Sequence, residues 1–100
     1  MPNKNYINGS NLERSRKKDW EGLGYFVMKS GGSRGPFDLI AIREGKGLPI
    51  LIQVKRVATR SQANLLLKKF KETPPLKPGD YMQRMEILIT NEREIAWCSV

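Results

Sequence analysis

Two apolar runs, residues 37–43 and 48–56, are separated by Glu44-Gly45-Lys46-Gly47, which has the composition of a hairpin turn. Both runs are rich in Ile, Leu and Val, so the middle of the chain reads as two paired strands. The rest is organised around that hairpin. Ser10 can cap a helix over residues 10–23, ended by Gly22 and Gly24, with Leu12, Trp20 and Leu23 as a thin apolar stripe. Residues 25–28 read as a first strand. A second helix is predicted over 61–72, with Ala63, Leu66, Leu67 and Phe70 inward and Lys68, Lys69 and Lys71 outward. Pro74, Pro75 and Pro78-Gly79 form a stiff linker to two last strands, near 85–90 and 94–99. The order α-β-β-β-α-β-β predicts an α/β sandwich with a mixed sheet. Residues 1–100 make one domain, of which 1–9 are expected to be loosely held.

Composition removes several kinds of chemistry. The chain contains no histidine and one cysteine, Cys98. Histidine-based acid–base catalysis, His-ligated zinc and an internal disulfide framework are therefore excluded. An enzyme built from this sequence has to work with carboxylates, amides, lysines and hard cations. No stretch reaches transmembrane length and the amino terminus has no apolar signal core, so a cytoplasmic, reducing setting is expected. Eighteen Lys and Arg against ten Asp and Glu give a net charge of +8. From Asp80 onward Arg84 and Arg93 stand against Asp80, Glu86, Glu92 and Glu94, a net of −2, so residues 1–79 carry +10. Such an excess favours a polyanionic partner, nucleic acid ahead of an anionic membrane.

Three polar side chains interrupt the apolar hairpin: Asp38 near the start of one strand, Gln53 and Lys55 near the end of the next. A turn near residue 46 sets Asp38 across from residues 53–55, and strand alternation puts Gln53 and Lys55 on one face. The three can thus converge at the end of the hairpin. Charged groups entering an apolar sheet are costly unless paired or bound to metal. A plain Asp38–Lys55 ion pair at the sheet edge is the structural alternative.

The stretch from Gly35-Pro36-Phe37-Asp38 to Gln53-Val54-Lys55 resembles the signature of PD-(D/E)XK nucleases. The likeness extends to Gly9-Ser10-Asn11-Leu12-Glu13-Arg14 and to Ser30-Gly31-Gly32-Ser33, which resemble the first helix and the serine–glycine loop of archaeal-type Holliday junction resolvases. It covers roughly residues 9–56, in the same order. Two departures stand out. Phe37 separates Pro36 from Asp38, and Gln53 occupies the place of a carboxylate, leaving an uncharged amide oxygen to face a cation.

The resemblance implies a restriction-endonuclease-like αβββαβ core, with a mixed central sheet flanked by helices. It also implies Mg²⁺-dependent phosphodiester hydrolysis, with Mn²⁺ able to substitute. Asp38, Gln53 and Glu13 would hold metal, and Lys55 would orient the attacking water or stabilise the phosphate. Glu13 has a structural alternative, an ion pair with Lys17 one turn on. Ser30, Ser33 and Arg34 would approach a DNA phosphate, within a wider backbone-binding surface of Arg14, Arg16, Lys17, Lys18, Lys29, Arg56 and Arg60. The expected substrate is a four-way DNA junction cut by a homodimer, one site per subunit. A nuclease or nickase acting on flaps or other branched DNA shares the same catalytic set, and a non-catalytic DNA-binding module would account for Gln53.

Overall fold

A computed structural model describes residues 9–29 and 35–100, apart from the side chains at positions 9, 10 and 46. The elements are α1 (Gly9–Gly22), β1 (Phe26–Lys29), β2 (Leu39–Arg43), β3 (Lys46–Val57), α2 (Arg60–Glu72), β4 (Met82–Ile89) and β5 (Glu94–Ser99). The five strands form one mixed sheet in the order β1-β2-β3-β4-β5. Only β3 and β4 run parallel; the other neighbours are antiparallel. A parallel pair cannot be joined by a tight turn, and α2 supplies the crossover. No helix among the described residues is long and apolar enough to cross a membrane.

The hairpin forms as its sequence predicts, with Leu39 opposite Ile52 and Ala41 opposite Ile50. Its turn uses Gly45 at φ 68°, a left-handed conformation that would strain any residue with a Cβ. Register slips by a bulge between Ala41 and Arg43. Alternation along β3 divides the core in two. Ile52 and Val54 join Leu39, Ala41, Val27, Leu12 and Trp20 under α1. On the other face Ala63 and Phe70 of α2 pack with Met85, Ile87, Ile89, Ala96 and Cys98. Leu39, Ile52, Ile87 and Ile89 are completely buried, each side chain contributing roughly 1.5–3 kcal/mol relative to exposure.

Helix α2 begins at a full capping box. Thr59 accepts from the Gln62 N–H, and the Gln62 side chain accepts in return from the Thr59 N–H. Its inward stripe is the predicted one, with Leu66 and Leu67 partly buried beside Ala63 and Phe70. Helix α1 departs from expectation at its end. Leu23 does not extend the apolar stripe but is 63% exposed. The Leu23 and Tyr25 N–H groups both donate to the Trp20 carbonyl, and Gly24 at φ 98° turns the chain out of the helix. The cap expected from Ser10 involves a side chain outside the described residues. Strand β4 starts at Met82, earlier than its apolar run, because β3 offers it parallel partners from Ile50 onward.

One carboxylate lies within the otherwise apolar run 85–89 of strand β4. Glu86 on β4 is fully buried on the α1 face. It accepts from Arg16 Nε at 2.8 Å, Arg84 Nε at 2.8 Å and Trp20 Nε1 at 3.1 Å. Burial alone would raise its pKa, but the hydrogen bonds and charges of Arg16 and Arg84 outweigh that and hold it below the ordinary glutamate value. This knot fastens α1 to β4. Arg84 also stacks on Trp97 at 3.9 Å.

Candidate active site

Asp38 stands one step beyond the last β2–β3 pair, Leu39 opposite Ile52, so continuing the register sets it across from Gln53. Two bonds fix it there. Its N–H donates to the Ile52 carbonyl at 2.8 Å, and its Oδ2 accepts from the Val54 N–H at 2.8 Å. The carboxylate has taken the place of a main-chain acceptor, which ends the β2–β3 ladder at this point and opens the sheet. Lys29, the last residue of β1, lies in the neighbouring strand opposite Leu39.

Helix α1 brings Glu13 to the same place. Burial raises the Glu13 pKa most, and the negative charge of Asp38 raises it further. The Lys29 ammonium pulls it down, while a side-chain hydrogen bond with Asp38 adds to the rise. Neighbouring carboxyl groups each disfavour the other's charge, and a cation between them would relieve that. The structural alternative for Glu13, pairing with Lys17, is not what the helix forms: Lys17 bonds Glu21 at 2.7 Å.

Gln53 and Lys55 share a face, as their spacing predicts, and line a groove between β3 and the C-terminal half of α2. Among the described residues neither side chain hydrogen-bonds or pairs with Asp38. Asp38 instead meets the main chain between them, at Val54. The edge ion pair between Asp38 and Lys55 is therefore absent. The predicted quartet straddles the open end of the sheet, with Glu13 entering from the α1 side and Gln53 and Lys55 from the α2 side.

Other candidates divide between engaged and open cations. Arg16, expected on the DNA-binding surface, is engaged with Glu86 and Asp19. Arg60 bridges Glu92 and Glu94, and Lys17 holds Glu21. Arg14, Lys18, Lys55 and Arg56 are exposed and form no ion pair among the described residues. The calls on Ser30, Ser33 and Arg34 lie outside the described residues. Sequence reasoning missed Glu86, although a carboxylate inside the apolar run Met85-Glu86-Ile87-Leu88-Ile89 was a readable signal.

No protein-family model matches the chain, and no curated protein is similar enough to count as a relative. The chemistry has to be read from the site. Among the described residues no three Asp, Glu, Cys or His gather into a metal-holding group. A cation at Glu13 and Asp38 would complete its shell with water or a phosphate oxygen, since Gln53 faces the α2-side groove. Hard oxygen donors with few protein carboxylates suit Mg²⁺, which keeps several waters and bridges to phosphate. Two neighbouring carboxyl groups are donors of the kind a hard divalent cation takes, fewer than a full protein-built shell.

Proposed function

We propose that the chain is a metal-dependent DNA endonuclease, acting on four-way junctions as a homodimer. The observation that carries this reading is the meeting of Glu13 and Asp38 at the open end of the sheet, beside the strand that bears Gln53 and Lys55. Fold order supports it as well. Three antiparallel strands, a crossover helix and a fourth strand parallel to the third are what the restriction-endonuclease-like reading requires.

Each residue has a role that follows from its surroundings. The Asp38 backbone N–H and its Oδ2 are both bonded to β3, which orients the carboxylate. Glu13 reaches the same point from a helix anchored through Trp20 and Arg16 to Glu86. Lys55 has no carboxylate partner among the described residues, and its charge is open to a phosphate or to the water that attacks it. Bound Mg²⁺ would lower the pKa of that water and offset charge on the leaving oxygen. Arg14, Lys18, Lys29 and Arg56 would steer and hold the DNA backbone without reading bases.

The experiment is cleavage of a labelled four-way junction with Mg²⁺ or Mn²⁺, beside a flap and a matched linear duplex. Paired symmetric nicks confined to the junction are expected, lost in Asp38→Ala. Preference for the flap would move the substrate to other branched DNA. Tight binding with no cutting of any substrate would mark a DNA-binding module in which Gln53 replaced an essential charge.

A further inference from the structure

We propose that the groove between β3 and the end of α2 is a phosphate subsite for the DNA strand next to the reacting position, with Lys69 as a binding residue. This rests on the nuclease reading above and adds to it a residue on α2.

The groove has a volume of about 210 Å³. Gln53 and Lys55 approach from β3, Lys69 and Thr73 from α2, over a floor that includes Phe70 and Met85. Every polar side chain lining it can donate a hydrogen bond, and no carboxylate lines it. Among the described residues Lys55 and Lys69 form no ion pair. Two lysines on one groove with no carboxylate in its lining favour an anion there. Enclosed ligand sites run to roughly 300–1,000 Å³, so this space suits one compact group such as a backbone phosphate. Lysine suits the place, because its methylene stem can lie along the apolar floor while the ammonium stays at the mouth.

Lys69 has a competing use. It sits in the last turn of α2 with Lys71, where both cations complement the negative end of the helix. Only Lys69 lines the groove, so Lys71 is a matched control.

The test measures binding of a labelled four-way junction over a range of salt, for the parent chain, Lys69→Gln and Lys71→Gln, with a thermal melt of each. Losing one phosphate contact lowers the slope of log affinity against log salt by about 0.9. Lys69→Gln is expected to weaken binding severalfold and flatten the slope by that amount. In cleavage it should raise KM more than it lowers kcat. Lys71→Gln should shift the melt as much as Lys69→Gln does and leave the slope unchanged. Equal slopes for all three proteins, with the parent still cutting the junction, would overturn the subsite while leaving the nuclease reading intact. A parent that binds no DNA would overturn both.

Discussion

At the scale of single residues, Glu13 and Glu86 show two opposite uses of a carboxylate. Glu86 is surrounded by donors that favour its charge; Glu13 has its charge disfavoured by burial and by Asp38. Glu86→Ala is expected to cost about 3–5 kcal/mol, because it leaves Arg16 and Arg84 half-buried without their partner. Chemical denaturation reads that loss. Since the folded pKa of Glu86 lies below its unfolded value, its contribution is complete above about pH 4.3. It fades as pH falls from there through the folded pKa. The stability gap between the parent and Glu86→Gln should therefore be flat near neutrality and close in acid. Glu13→Gln should behave differently. Removing one of two crowded carboxyl groups is expected to leave the metal-free protein as stable or more stable, by about 0.2–0.5 kcal/mol, the scale of like-charge neighbours on a helix. Added Mg²⁺ should then raise the melting temperature of the parent more than that of the variant.

At the scale of elements, the helix caps and strand ends set where the site opens. Thr59 starts α2 immediately after β3, fixing the direction in which the helix leaves Lys55 and Arg56. Thr59→Ala should lower stability by about 1 kcal/mol, the usual size of a lost N-cap, seen as a lower denaturation midpoint with an unchanged m-value. The hairpin, the inward stripe of α2 and the shared face of Gln53 and Lys55 were legible, because each follows from a local period of two or 3.6 residues. The α1–β4 knot was not. Arg16 and Glu86 are 70 positions apart, and nothing local in a helix rich in Arg and Lys distinguishes a buried guanidinium from a solvated one. The exact meeting of Asp38 with Val54 was equally hidden, since it depends on a side chain replacing a ladder acceptor.

At the scale of the whole molecule, the two helices lie on opposite faces of one sheet and each brings charge to its open end. Helix α1 contributes Glu13 and α2 carries Lys69, while the sheet itself supplies Asp38, Gln53 and Lys55. Acid for a cation and base for phosphates are thus divided across the sheet, consistent with a DNA strand passing over its end. The most direct test is single-turnover cleavage of a four-way junction in Mg²⁺ by the parent and by Asp38→Asn, an isosteric change that keeps an acceptor for Val54. The account predicts metal-dependent nicking by the parent and a loss of about 100-fold or more in the variant, the scale of removing a group that stabilises the transition state. A parent that binds the junction and leaves it uncut at every concentration of Mg²⁺ and Mn²⁺, or a variant that cuts as fast as the parent, would contradict it.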